Sequence, residues 1–119
     1  MPFAHITGWG MYVPEPILTN DDISKLVDTN DEWIVERTGI RERHIAREGQ
    51  TTSILATEAA WNALAIAGIK PTEIDLIICA TSTPEYLFPA TACLIQDRLG
   101  ATKAGAFDFV AKPIDLQVL

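Results

Sequence analysis

Apolar residues recur at helical spacing in the middle of the chain. From Thr52 to Ala67 the sequence is rich in Ala, Leu and Glu, and Gly68 follows directly. One apolar stripe consists of Leu55, Ala59, Ala63 and Ile66. This spacing predicts a helix that ends at Gly68, and its many alanines predict close packing on several sides.

Two continuous apolar runs follow the helix, at residues 75–81 and 104–110. Such runs are typical of strands that are buried on both faces of a parallel sheet. Residues 82–89 contain two prolines and predict a loop. Residues 90–99 predict a further helix, ended by Gly100.

The first half of the chain combines shorter signals. Residues 4–13 mix apolar residues with Gly8 and Gly10, which predicts a strand with close backbone approach at the glycines. Residues 19–22 form a helix-start cluster of the type Thr-Asn-Asp-Asp, and the short helix would place Ile23, Leu26 and Val27 on one face.

A second helix is expected to begin at residues 29–32, where Thr29 and Glu32 have the spacing of a capping box. Gly39 would end it, and residues 40–46 predict a strand. From residue 40 onward, strands and helices therefore alternate. This order predicts an α/β fold with right-handed crossovers, without a visible repeat or linker.

Composition narrows the function classes. The 119 residues, 48% hydrophobic and 21% charged, indicate one globular domain or part of a larger one. A net charge of −7 argues against nucleic-acid binding, and no apolar run reaches the roughly 18 residues of a membrane span. No signal peptide is visible, and Cys79 and Cys93 form no metal or disulfide motif, so a cytoplasmic location is expected.

Trp33 and Arg37 lie one helical turn apart and could form a platform for a base or a phosphate. The same pair could equally be a surface cation–π contact, and a tryptophan on a short helix is more often a packing residue. His5 and His44 are isolated and are interpreted as core or surface residues rather than metal ligands. Cys79 and Cys93 lie among apolar residues and are interpreted as core positions rather than nucleophiles.

Phe88 lies in the predicted loop before Pro89. It could be an ordinary buried anchor, whereas an exposed phenylalanine would indicate a partner surface. The sequence contains no GxGxxG motif, phosphate loop or Ser/His/Asp arrangement. The residues by themselves thus predict an α/β domain without a complete catalytic set.

Three stretches together resemble β-ketoacyl-acyl-carrier-protein synthase III. The first, residues 27–43, contains DEWIVERTGIRER. The second is FPATAC at residues 88–93, followed by Gln96 and by Leu99 with Gly100. The third is residues 106–108, which resemble the strand before the family's nucleophile. The resemblance covers residues 3–111.

The resemblance implies a thiolase-like fold, of which residues 1–111 would form part of the N-terminal half of a layered αβαβα arrangement. The family works as a homodimer and condenses a short acyl-CoA with malonyl-acyl-carrier protein, without a metal or separate cofactor. By motif position, Trp33 would stack on the adenine of coenzyme A, and Thr29 and Arg37 would bind near its nucleotide end. Phe88 would lie at the dimer interface and reach toward the partner's acyl pocket.

Residues 112–119 depart from the family pattern, and Pro113 stands where the resemblance places the nucleophilic cysteine. The histidine and asparagine of the family's decarboxylation step would lie beyond residue 119. We therefore expect an N-terminal fragment that is inactive alone and has no catalytic residue. The alternatives are a non-catalytic module that binds coenzyme A or dimerises, and a fragment of a polyketide-type or hydroxymethylglutaryl-CoA synthase.

Overall fold

The computed structural model describes residues 3–106. These residues form two compact units, of which the first is Val13–Gln50. The second combines the described parts of Met1–Tyr12 and Thr51–Leu119. The helices are α1 (Asn20–Ser24), α2 (Asp31–Thr38), α3 (Thr52–Ala67) and α4 (Thr91–Leu99), and the strands are β1 (Ile17–Thr19), β2 (Glu42–His44), β3 (Leu76–Ile77) and β4 (Gly105–Ala106).

In the first unit, β1 leads directly into α1. Thr19 ends the strand and caps the helix with a capping box: its hydroxyl oxygen accepts from the Asp22 backbone N–H at 3.2 Å, and the Asp22 carboxylate accepts from the Thr19 backbone N–H at 3.2 Å. The helix start is therefore confirmed. The helix ends at Ser24, however, so Leu26 and Val27 lie beyond it and are exposed. The prediction of one apolar helical face through both residues was wrong.

The strand expected at residues 40–46 is present as β2 but has a different partner. It pairs antiparallel with β1, with Ile17 opposite His44 and Thr19 opposite Glu42. The prediction that it opens a series of parallel crossovers was wrong. The partner strand is only three residues long, which is too short to give a periodic signal in the sequence.

The second unit has its core between α3 and α4. The long helix runs over the predicted residues and ends at Gly68, which has a φ of 66°. The buried core residues are Ile95, Leu99, Ala101 and Ala104, and residues of α3 pack against them. The face of α3 that meets the core carries Ala56, Ala60 and Leu64 rather than the predicted stripe, of which Ile66 is exposed.

Residues 4–13 form no strand, so this prediction was wrong. A strand needs a hydrogen-bonded neighbour, and the described part of the chain provides none for this segment. The segment instead runs along α3. A Cβ atom on Gly8 would lie 2.5 Å from the backbone oxygen of Ala63. A Cβ atom on Gly10 would lie even closer to the backbone oxygen of Ala59. Close backbone approach at the glycines is therefore confirmed.

β3 and β4 form a parallel pair, with Leu76 opposite Gly105, as expected for an α/β fold. Burial on both faces is not observed, because Leu76 and Ile78 are exposed and Ile78 has a relative exposure of 68%. Residues 107–110 of the predicted last strand and the divergent tail at 112–119 lie outside the described residues. Within residues 3–106, no helix is both long and apolar enough to cross a membrane.

Candidate functional site

The helix α2 carries the pair that the sequence singled out. Its N-cap is Asn30, whose side-chain oxygen accepts a hydrogen bond of 2.8 Å from the backbone N–H of Trp33. The expected capping box of Thr29 and Glu32 was therefore wrong, because the asparagine one position later already satisfies the free N–H group. Gly39 ends the helix with a φ of 70°, as predicted.

Trp33 and Arg37 meet on the exposed side of this helix. The guanidinium carbon of Arg37 lies 4.3 Å from the centroid of the Trp33 ring, which is a cation–π contact. Ile34, on the other side, is buried and anchors the helix in its unit. Trp33 remains 50% exposed with Arg37 over its ring. The pair therefore presents an aromatic surface and a cation to solvent.

Asn20 fixes the position of this helix within the first unit. It is 1% exposed, and its side-chain nitrogen donates to the Asp31 carboxylate at 2.7 Å and to the Ile40 carbonyl at 2.8 Å. Arg43 donates to the side-chain oxygen of Asn20 at 2.8 Å. Because Asp31 begins α2, this network sets the start of the helix that bears Trp33. Sequence reasoning missed Asn20, which reads there only as part of a helix-start cluster.

Thr29 lies just before the N-cap of the same helix. Its hydroxyl oxygen is buried and has no hydrogen-bond partner among the described residues. Buried hydroxyl groups are normally satisfied in folded proteins. The described residues therefore provide no hydrogen-bond partner for the Thr29 hydroxyl. Thr29 lies four residues before Trp33 in the sequence, close to the exposed pair.

Phe88 belongs to the second unit and lies on the loop between β3 and α4. It is 89% exposed, and the two preceding residues, Tyr86 and Leu87, are exposed as well. Of the two interpretations that the sequence left open, the buried anchor is excluded within the described residues. The loop instead presents three consecutive large apolar side chains to solvent, which is typical of a contact surface.

Two side chains of the first turn of α3 hold this loop. The hydroxyl of Thr52 donates to the carbonyl of Thr83 at 2.8 Å. The backbone N–H and the hydroxyl of Ser53 both donate to one carboxylate oxygen of Glu85, at 3.2 and 2.8 Å. The sequence analysis missed this anchor, because its partners are about thirty residues apart and share no local pattern.

The charge of Glu85 is supported by these neighbours. Partial burial raises the pKa of its carboxyl group, but the hydroxyls of Thr51 and Ser53, the Ser53 backbone N–H and the nearby Arg98 outweigh this effect and lower the pKa overall. Glu85 is therefore a carboxylate at neutral pH, and it can serve as a strong hydrogen-bond acceptor.

A cavity of about 280 Å³ lies beside the same loop, lined among others by Cys79, Tyr86, Leu87 and Thr91. Burial raises the pKa of the Cys79 thiol, and the nearby Glu85 raises it further. The thiol is therefore protonated at neutral pH, which makes it a poor nucleophile. Across residues 3–106, no three His, Cys, Asp or Glu side chains are grouped to hold a metal ion.

No family model matches the chain. The chain is 59% identical over 106 residues to a β-ketoacyl-[acyl-carrier-protein] synthase III of Xylella fastidiosa, and the match covers 89% of this chain and 33% of that protein. It is similar to the crystal structure of 3-oxoacyl-[acyl-carrier-protein] synthase III from Aquifex aeolicus, with a TM-score of 0.84 and 53% identity over 89% of this chain and 34% of the other.

A third similarity is to the crystal structure of a priming β-ketosynthase from a polyketide biosynthetic pathway. The TM-score is 0.85, with 37% identity over 90% of this chain and 32% of that one. The chain thus spans about a third of the length of the relatives that it matches. These findings confirm the resemblance that the motifs indicated. They also confirm the fold class: the described residues are part of a thiolase-like α/β fold.

Proposed function

We propose, from the confirmed resemblance of this chain to β-ketoacyl-acyl-carrier-protein synthase III, that it is part of an acyltransferase. The reaction is the condensation of a short acyl-CoA with malonyl-acyl-carrier protein, which begins fatty-acid synthesis in the cytoplasm. In this proposal α2 supplies a contact to the nucleotide end of coenzyme A. The observation that carries it is the exposed pair of Trp33 and Arg37, with the guanidinium 4.3 Å from the ring centroid.

The chemistry of the pair suits such a ligand. Adenine is flat and stacks on an indole, while the phosphates of coenzyme A attract a guanidinium that can donate several hydrogen bonds. Arg37 covers part of Trp33, yet half of the residue's surface stays exposed and available to a base. The hydroxyl of Thr29, which has no hydrogen-bond partner within residues 3–106, supports a polar role for that residue near the same ligand.

The affinity of this partial site should be low. Stacking on one aromatic side chain contributes about 1–3 kcal/mol per base, and a solvated charge contact adds little. Association costs at least about 4 kcal/mol of lost freedom. These terms leave little net binding free energy, so we propose that coenzyme A binds no tighter than a Kd of roughly 1 mM, which corresponds to about −4 kcal/mol.

A titration with coenzyme A, followed by tryptophan fluorescence, tests this function. The wild-type signal should saturate in the millimolar range, and Trp33→Ala should abolish the change. Trp61→Ala is the matched control, because Trp61 is also a partly exposed tryptophan but lies on α3. Equal responses of wild type and Trp33→Ala, or no response at several millimolar, would refute the assignment of α2.

We further propose that this chain forms no acyl-enzyme. The proposal is supported by Pro113 at the position that the resemblance assigns to the nucleophilic cysteine, and by the raised pKa of the Cys79 thiol. Radiolabelled acyl-CoA should leave no stable label on the purified chain. Stoichiometric label that hydroxylamine removes would contradict this, and Cys79→Ser and Cys93→Ser would then identify the acylated thiol.

The exposed loop favours one second candidate, a non-catalytic module that dimerises through Phe88. It is supported by the three large apolar side chains at residues 86–88. Sedimentation at micromolar concentration should reveal dimers, and Phe88→Ala should weaken them. A polyketide-type role has less support, because the priming β-ketosynthase is 37% identical whereas the synthase III of Xylella fastidiosa is 59% identical.

A further inference from the structure

We propose that Glu85 is a positioning residue for Phe88. Its carboxylate fixes the loop to the first turn of α3 and thereby holds Phe88 outward, where it can meet a second subunit. This inference rests on the proposed role of Phe88 in subunit association. It adds a residue that neither the motifs nor the exposed surface identify, because Glu85 makes its contacts on the inner side of the loop.

The first step of the argument is the unfilled start of α3. Among the described residues, the side chain of the N-cap residue Thr51 accepts no hydrogen bond from a backbone N–H of the helix. The first N–H groups of a helix need acceptors, and a nearby carboxylate also interacts favourably with the positive end of the helix dipole. Glu85 supplies that acceptor from a distant part of the chain, since it accepts from the backbone N–H of Ser53.

The second step is the rigidity of the partner. Ser53 is 0% exposed, and its hydroxyl donates to Glu85 at 2.8 Å. Arg98 of α4 donates to the same hydroxyl at 3.2 Å. Ser53 therefore connects the loop to two helices at once. The hydroxyl of Thr52 donates to the Thr83 carbonyl, two residues before Glu85, and this bond attaches the loop to α3 at a second point.

The third step is what the anchor has to oppose. Tyr86, Leu87 and Phe88 follow Glu85 immediately, and all three are exposed. The transfer of large apolar side chains out of water is favourable in free energy. An apolar cavity lies beside the loop, with Tyr86 and Leu87 in its wall. Without an attachment at Glu85, residues 86–88 would become less exposed by folding back toward that cavity. Phe88 would then lose its outward position.

The experiment compares self-association of the chain by sedimentation equilibrium with amide hydrogen exchange at Ser53. Glu85→Ala should weaken association about tenfold, the upper range for loss of a helix cap, and accelerate exchange of the Ser53 amide. Glu85→Gln keeps the length and one acceptor oxygen and should restore most of the association. Glu58→Ala, which removes an exposed carboxylate from α3, should change neither the self-association nor the exchange of the Ser53 amide.

A comparison within the series separates the two proposals. If Phe88→Ala leaves association unchanged, or the wild-type chain is a monomer, the role of Phe88 is refuted, and Ser53 exchange alone then decides whether the anchor exists. If Phe88→Ala weakens association but Glu85→Ala does not, the positioning role is refuted. Should Glu85→Ala fail to fold, Glu85→Asp replaces it: the shorter carboxylate should lose the association that Glu85→Gln retains, and the reverse order would overturn the proposal.

Discussion

The side-chain amide of Asn20 donates a hydrogen bond of 2.7 Å to the carboxylate of Asp31, eleven residues further along the chain. The side-chain oxygen of Asn20 also accepts a hydrogen bond from Arg43, and the residue is almost completely buried. A buried amide with all its partners in place rigidifies its surroundings, since each lost bond would leave a polar group unsatisfied. The orientation of α2 therefore depends on a residue that never touches its exposed face.

Replacement of Asn20 should destabilise the first unit. In Asn20→Ala the Asp31 carboxylate, the Ile40 carbonyl and the Arg43 guanidinium all lose a partner, so we expect a loss of about 2–3 kcal/mol in the free energy of unfolding. Urea denaturation followed by circular dichroism measures it. Asn62→Ala is the control, because Asn62 is exposed and, within residues 3–106, its side chain makes one hydrogen bond, to the Met11 carbonyl. Equal effects of the two substitutions would contradict the prediction.

Substitutions at Asn30 and Thr29 should affect the stability of the chain differently. Asn30→Ala removes the cap on the Trp33 N–H and should cost about 1 kcal/mol of stability. Thr29→Val removes a hydroxyl without a partner among the described residues, so stability should hold or rise slightly. If Thr29 contacts coenzyme A, the valine variant should bind the ligand more weakly while unfolding at the same urea concentration. A larger stability loss for Thr29→Val than for Asn30→Ala would restore the capping-box interpretation.

Gly8 should not tolerate a side chain. The methyl group of Gly8→Ala would meet the backbone oxygen of Ala63 at 2.5 Å, and backbone atoms cannot move aside as a flexible side chain can. We expect a loss of about 1–3 kcal/mol from this overpacking. Gly105→Ala is the matched control, since its nearest neighbour would be the Asp75 carbonyl oxygen at an ordinary 3.7 Å. Thermal denaturation of both variants should separate them clearly, and similar melting temperatures would count against the close approach.

The hydrogen bonds of the Asp22 carboxylate in α1, first with Lys25 and then with Thr19, should give a specific pH dependence. Hydrogen bonds from Lys25 and then Thr19 lower the pKa of Asp22 from 3.8 to about 2. Because the folded state holds the proton less tightly than the unfolded state, the contribution of Asp22 is complete above the unfolded pKa near 4 and is lost as the pH falls toward 2.

The direction of this pH dependence of stability can be measured directly. The stability difference between wild type and Asp22→Asn should be constant from pH 6 to about pH 4 and should shrink between pH 4 and pH 2. An NMR titration of the Asp22 carboxyl group should give a midpoint well below 3.8. High salt should reduce only the part that comes from the Lys25 charge. A midpoint at the ordinary aspartate value would contradict the hydrogen bonds of Asp22 with Lys25 and Thr19 in solution.

Long periodic signals predicted the fold of this chain well. The helix at Thr52–Ala67 and its end at Gly68 agree with the structure residue by residue, because alanine and leucine favour helices and glycine readily adopts a positive φ. The parallel pairing of β3 with β4 also followed from the apolar runs. In contrast, burial of Ile78 depends on what covers the strand, and a pattern of residues does not contain that information.

The candidate site was only half accessible to sequence reasoning. The contact between Trp33 and Arg37 follows from helical spacing alone, and it is present. The supports of the site escaped because they connect distant residues: Asn20 with Asp31, and Ser53 with Glu85. The choice of Asn30 over Thr29 as the cap also escaped, since both residue types cap helices well and only the backbone geometry distinguishes them.

The glycine segment at the start of the chain has a consequence for the order of folding. Gly8 packs on Ala63, so the segment that contains Gly8 needs a helix that is synthesised about fifty residues later. The unit Val13–Gln50, in contrast, is continuous in sequence and contains both strands of its own sheet. During synthesis on the ribosome, we therefore expect this middle portion to acquire its structure first, while residues 3–12 wait for α3 to emerge from the exit tunnel.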